Sequence, residues 1–122
     1  MIVCDMDLTK RLAILGSTGS IGQQTLDIVR AFPDKFRVVG LAAGANISLL
    51  KEQIREFRPL FVYYHDRKTL TANDQLKFLS LEDIARHPEV DMVVMATAGK
   101  AGLSPTLAAV KAGKKIALAN KE

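Results

Sequence analysis

Hydrophobic residues in this chain gather in short runs that alternate with stretches of helical periodicity. Leu12 to Leu15 is an apolar run closed by Gly16, the pattern of a buried strand. From Ser20, the residues Ile21, Thr25, Ile28, Val29 and Phe32 recur at helical spacing until Pro33, predicting a helix with that face inward. Phe36 to Ala43 predicts a second strand. Asn46 or Ser48 can cap the next helix, whose core face reads Leu50, Ile54 and Phe57 and which Pro59 ends. Leu60 to Tyr64 predicts a third strand. His65 to Lys77 is polar and poorly periodic, a loop with room for a turn of helix. Ser80 with Asp83 resembles a capping box opening a short helix that ends near Pro88. Met92 to Ala96 is a fourth strand. Ser104 and Pro105 form an N-cap and first-turn pair for a helix with Leu107 and Val110 as its apolar face. Gly113 ends that helix, and Ile116 to Ala119 reads as a fifth, buried strand.

Strand–helix alternation of this kind implies an α/β fold: a Rossmann-type doubly wound parallel sheet in a three-layer α/β/α arrangement. Residues 1–10 read as an N-terminal arm and 11–122 as one domain, with no internal repeat, low-complexity segment or linker. A length of 122 residues suits a single domain and is short for a complete two-substrate enzyme.

Net charge is +4, and the lysines and arginines are scattered. A mildly basic balance suits phosphorylated ligands. Without a basic stripe interleaved with aromatics, nucleic acid is not an expected partner. No apolar run approaches the roughly 20 residues of a membrane span. The start MIVCDMDLTKR is too short and too acidic for a signal peptide, so the cytoplasm is the expected compartment. Cys4 is a single cysteine with no base beside it, which excludes an intrachain disulfide and makes a nucleophile a poor expectation. His65 and His87 have no partner at metal-ligand spacing and read as surface residues.

The segment GSTGSIG, Gly16 to Gly22, lies between the first strand and the first helix, the context in which a glycine pattern carries meaning. Gly16 permits the tight turn, Gly19 lets a pyrophosphate approach the backbone, and Gly22 lets the helix pack close to the sheet. Free N–H groups at the helix start favour an anion there, with hydroxyl donors available on Thr18 and Ser20. The spacing is GxxGxxG, with Thr18 where the commonest dinucleotide fingerprint has glycine; a tight turn without a ligand is the alternative. After the second strand the chain reads LAAGAN, Leu41 to Asn46. An acidic residue here would accept from the ribose 2′-OH of NAD. None is present, and Gly44 and Asn46 offer donors instead, which favours NADPH. An Asp introduced at Ala43 is expected to weaken NADPH selectively. The alternative for Gly44–Asn46 is a plain turn and helix cap.

Two later segments fall on the same expected edge. ATAGKAGLSP, Ala96 to Pro105, leaves room for a flat ring against small residues, and is equally well explained as a turn. The final LANKE places Asn120, Lys121 and Glu122 just past a strand. Lys121 could pair with a substrate phosphate and Asn120 could donate to the cofactor; a solvated chain end is the alternative.

GSTGSIG followed by TLDIVR, then FRVVGLAAGAN, then AGLSPTLAAVKAGKKIALANKE, together resemble the 1-deoxy-D-xylulose 5-phosphate reductoisomerase family from about Lys10 to Glu122. The resemblance implies the NADPH-binding N-terminal domain of an oxidoreductase of non-mevalonate isoprenoid biosynthesis. The full-length enzyme would convert 1-deoxy-D-xylulose 5-phosphate to 2-C-methyl-D-erythritol 4-phosphate, as a homodimer, with NADPH and a divalent metal, Mg or Mn. It further implies that Thr18, Gly19, Ser20 and Ile21 hold the NADPH pyrophosphate, and that Gly44 and Asn46 lie by the adenosine ribose and 2′-phosphate. Asn120 and Glu122 match cofactor-contacting positions, and Lys121 matches a substrate-contacting lysine. Many members carry a basic residue where this chain has Ala45. The family's acidic metal ligands and catalytic domain follow this stretch, so the resemblance implies a fragment without metal or catalytic residues, inactive alone. Two other readings remain open: another NADPH reductase, such as a semialdehyde dehydrogenase-like protein, or a non-catalytic dinucleotide sensor.

Overall fold

The run from Lys10 to Leu15 forms β1, and Ala13, Ile14 and Leu15 have no solvent exposure at all. In a parallel sheet covered on both faces, a central strand is apolar at every position rather than at alternate ones. Each fully buried Leu or Ile contributes on the order of 1.5–3 kcal/mol, so this strand anchors the core. The computed structural model describes residues 9–65, 76–97 and 102–118. The strands are β1 (Lys10–Leu15), β2 (Phe36–Ala43), β3 (Phe61–Tyr64), β4 (Lys77–Phe78), β5 (Met92–Met95) and β6 (Lys115–Leu118). The helices are α1 (Ser20–Ala31), α2 (Ile47–Phe57), α3 (Leu81–Arg86) and α4 (Leu103–Lys111).

All strand pairs are parallel, in the order β4-β3-β2-β1-β5-β6. Leu26 and Val29 of α1 and Leu50 of α2 pack with Leu12, Ile14, Val38 and Val62 on one face. Ile84 and Ala85 of α3 and Ala109 of α4 pack with Ala13, Leu15, Val39 and Phe61 on the other. This is the three-layer α/β/α arrangement expected from the sequence. The chain walks outward from β1 to β4, then returns to β5 on the other side of β1. Reversal at β1 opens a crevice at the carboxyl ends of β1 and β5, the ordinary ligand position in such sheets.

Several expectations need correction. Among the described residues the sheet has six strands, because Lys77, the last residue of the stretch expected to be a loop, and Phe78 after it pair with Phe61 and Val62. The inward face of α1 is Gly22, Leu26 and Val29, whereas Ile28 and Phe32 are about half exposed. The stripe must pass through Gly22, where helix and loop approach most closely, and at 3.6 residues per turn that rotates Ile28 away by about 120°. Helix α4 starts at Leu103 with Gly102 as its N-cap rather than Ser104, and Pro105 sits inside its first turn. Its buried residues are Pro105 and Ala109, while Leu107 and Val110 are exposed. Small residues face inward there because α4 packs against α3 and β6 at close range. Strand β6 is an edge strand and mostly exposed rather than buried, with Leu118 at 67%.

Other local signals hold. Asn46, not Ser48, caps α2 by accepting from the Leu49 N–H at 3.1 Å, and Ser80 Oγ accepts from the Asp83 N–H at 3.0 Å. Gly113 carries the left-handed φ of +74° just after α4.

Candidate functional site

β1 ends where Gly16 adopts φ +93°, close enough to the backbone of Ala96 that a β-carbon would stand 2.7 Å from it. The N–H groups of Gly16 and Ser17 both donate to the Ala42 carbonyl, at 2.8 and 2.9 Å, tying the loop to the end of β2. The carbonyls of this loop are then occupied in turn. Gly16 O accepts from the Gly19 N–H at 3.2 Å, Ser17 O from Gln53 Nε2 at 2.9 Å, and Thr18 O from Gln23 Nε2 at 2.9 Å. Among the described residues no acceptor takes the N–H of Thr18, Ser20, Ile21 or Gly22. The N-cap Gly19 supplies no side-chain cap, and no acidic residue lies in the first turn of α1. Carbonyl oxygens are drawn away and amides are left available at the positive end of a helix. Such an arrangement attracts an anion.

The turn after β2 forms the neighbouring wall. Gly44, Ala45 and Asn46 are exposed, and the Tyr64 hydroxyl donates to the Ala45 carbonyl at 3.3 Å, fastening the turn to β3. A β-carbon on Gly44 would meet nothing within 4 Å. Between this turn, the glycine loop and the end of β5 lies a cavity of about 470 Å³. Gly16, Ala42, Ala43, Gly44, Tyr63, His65, Leu81 and Thr97 line it, with no carboxylate among the described residues. Thr97 Oγ1 is buried and has no hydrogen-bond partner among the described residues, so a polar group is held ready beside the cavity.

The structure thus gathers Thr18, Gly19, Ser20 and Ile21 at one loop, next to a cavity that Gly44 lines. Asn46 is spent partly on capping α2, through its Oδ1. Asn120, Lys121 and Glu122 lie outside the described residues, as do residues 98–101 of the segment after β5. Ala43 is 4% exposed in the core, so an Asp there would bury a charge; Gly44 is the position at which a carboxylate fits.

Sequence reasoning missed Gln53, Tyr63, Leu81 and the cavity role of His65. His65 is exposed as expected, yet its ring stands beside the cavity with its centroid 4.5 Å from that of Tyr64. Gln53 could have been found as a polar residue three positions after Leu50, on the inward stripe of α2.

The perturbed titrations fall at the amino ends of the central strands β1 and β5 and on the surface. Hydrogen bonding to Arg11 holds the Asp91 carboxyl below the usual range, against a smaller opposing effect of burial. Arg30 does the same for Glu56.

The family model for 1-deoxy-D-xylulose 5-phosphate reductoisomerase matches residues 12–122. This chain belongs to that family. The reductoisomerase of Acaryochloris marina (strain MBIC 11017) is 50% identical over 125 residues, a match covering 93% of this chain and 31% of the relative. A crystal structure of DOX-P reductoisomerase in complex with magnesium superposes with a TM-score of 0.84 at 36% identity, covering 93% of this chain and 31% of that one. A second, in complex with NADPH, fosmidomycin and magnesium, gives 0.81 at 37% identity, covering 91% and 30%. The chain therefore spans about a third of the length of these reductoisomerases. No described helix is long and apolar enough to cross a membrane.

Proposed function

We propose that this chain is the NADPH-binding domain of a reductoisomerase acting on 1-deoxy-D-xylulose 5-phosphate to give 2-C-methyl-D-erythritol 4-phosphate. One observation carries the reading: available amides at the start of α1 stand beside a cavity at the carboxyl end of the sheet whose described lining holds no carboxylate. A pyrophosphate suits those amides, and the adenosine half suits the mainly apolar cavity. Thr18, Ser20 and Ile21 would donate to phosphate oxygens, and the small Gly19, where a β-carbon's nearest neighbour is 3.6 Å away, would let the phosphates approach. Gly44 and Asn46 would flank the ribose and 2′-phosphate. When bound, NADPH supplies the hydride.

The match to the family model, which runs through Glu122, supports extending the cofactor role to Asn120 and Glu122 and the substrate role to Lys121. Residues 11–122 would then form the domain and 1–10 an arm. Metal ligands, Mg or Mn being the ions implied, and catalytic groups are assigned to the family sequence beyond this stretch. A cytoplasmic homodimer, acting without nucleic acid or membrane, is the setting proposed for the full-length enzyme.

The test is calorimetric titration of the 122-residue chain with NADPH and NADH, alongside an assay for NADPH oxidation with substrate and metal. NADPH should bind with a dissociation constant on the order of tens of micromolar or weaker, because the chain spans about a third of the length of its reductoisomerase relatives and is tested without contacts from the rest. NADH should bind more weakly by about 1–3 kcal/mol, and turnover should be undetectable. Equal affinities would remove the argument from the missing carboxylate. Metal-dependent turnover would show that the catalytic groups lie within these residues.

A further inference from the structure

We propose that Gln53 is a positioning residue for the glycine loop: it sets the direction of the Thr18 amide, and thereby the loop's affinity for a dinucleotide's phosphates. The inference rests on the NADPH reading above.

Gln53 is 3% exposed, on the sheet-facing side of α2 with Leu50. Its Nε2 donates to the carbonyl of Ser17, a residue with no exposure, across 36 positions of sequence. A peptide unit is planar and trans, so the Ser17 carbonyl and the Thr18 N–H belong to one plane and point opposite ways. Holding the oxygen inward turns the N–H outward. Without a donor, Ser17 O becomes a buried acceptor with no partner, a costly state relieved by rotating the peptide toward water. That rotation would present a carbonyl oxygen to the phosphates and withdraw an amide from them.

A buried amide on α2 carries a stability cost of its own. Gln53 Oε1 and Ser17 Oγ are both buried without a hydrogen-bond partner in the described structure. An apolar side chain facing the sheet from α2 would remove the unsatisfied Oε1 but leave the Ser17 carbonyl without its donor. What the amide provides is a donor aimed at one carbonyl. Asn46 is the N-cap of α2, so a single element fixes the Gly44–Asn46 turn at its cap and the glycine loop from its middle.

The test compares the unaltered 122-residue chain with Gln53→Met, which keeps length and removes the donor. Gln53→Asn, one methylene short, is read in the same way if the methionine variant does not fold. Calorimetry with NADPH well below the unfolding temperature gives stoichiometry and affinity separately, and ¹⁵N spectra follow the Thr18 amide. The variant should bind NADPH about tenfold more weakly at unchanged stoichiometry, with the Thr18 amide no longer shifting on addition. Adenosine 2′-monophosphate, which lacks the pyrophosphate, should bind both proteins alike. Ile84→Val, in the core on the far side of the sheet, should lower the melting temperature and leave the NADPH affinity alone. A falling stoichiometry at constant affinity would mean that Gln53 only supports the fold, and would overturn the proposal. So would an unchanged affinity with a normal Thr18 shift. No NADPH binding by the unaltered chain would overturn both this inference and the NADPH reading.

Discussion

Gly22 stands so close to Gly16 that a β-carbon on Gly22 would lie 2.2 Å from the Gly16 carbonyl oxygen. The same β-carbon would meet Ser17 Cα at 2.7 Å. These are backbone atoms held by the Ala42 carbonyl and by Gln53, so they cannot step aside without moving the loop. Gly19, three residues earlier, meets nothing closer than 3.6 Å. Two glycines in one motif therefore do different work.

That contrast gives a prediction for unfolding and binding measured together. Gly22→Ala should lose about 1–3 kcal/mol of stability or more, because overpacking against backbone has no rotamer to relieve it. Gly19→Val should unfold within about 1 kcal/mol of the unaltered chain, since the N-cap position is open, yet should lose NADPH binding. Urea unfolding and NADPH titration of both variants check it. Normal binding by Gly19→Val would make the loop a structural turn only.

Cofactor selectivity is predicted to turn on Gly44. The position lines the cavity, has space for a side chain and lacks the positive φ that would strain one. Gly44→Asp should weaken NADPH relative to NADH by about 1–3 kcal/mol, since a carboxylate repels the 2′-phosphate and can accept from a free 2′-OH. Paired titrations with the two cofactors read this directly. An unchanged ratio would place the 2′-phosphate elsewhere.

A third prediction concerns acid stability. The backbone N–H, Nε and Nη2 of Arg11 donate to the Asp91 carboxylate at 2.8, 3.1 and 3.1 Å, and the Asp91 N–H returns a bond to Arg11 O at 2.8 Å. This joins the start of β1 to the residue before β5. The folded state lowers the Asp91 pKa, so the folded protein favours the ionised form. The resulting stability is present above the unfolded value near 3.9 and is lost as pH falls through the depressed folded value. Asp91→Asn should cost about 1 kcal/mol at pH 7, a figure discounted because both side chains are about a third exposed. Melting curves from pH 7 down through the acid range should show the two proteins converging below about pH 4. A gap that persists in acid would mean that packing, not charge, is what the substitution removes.

Much of the fold was legible because its signals are local. Phe36 to Ala43 is strand at the bounds its apolar run suggested, and the caps at Asn46 and Ser80 act within three residues of themselves. Strand–helix alternation allowed few arrangements, since parallel strands require crossovers and crossovers prefer one hand. The glycine loop was legible for the same reason: the turn at Gly16 and the close approach at Gly22 are demands of one short segment.

Facing and edges were not legible in that way. Leu26 rather than Ile28, and Ala109 rather than Leu107, turn inward because the distance between layers decides which stripe fits, and that distance is set by residues far away in sequence. Strand β4 has two residues and no pattern of its own; it exists because Leu60 O and Val62 O, on the edge of β3, accept from the Lys77 and Leu79 N–H groups. Gln53 shows the division most sharply. The sequence determined that α2 would form, with a core face read as Leu50, Ile54 and Phe57. Only the tertiary structure decided that this amide meets the carbonyl of Ser17, because a hydrogen bond across 36 residues depends on how α2 and the glycine loop dock on β2.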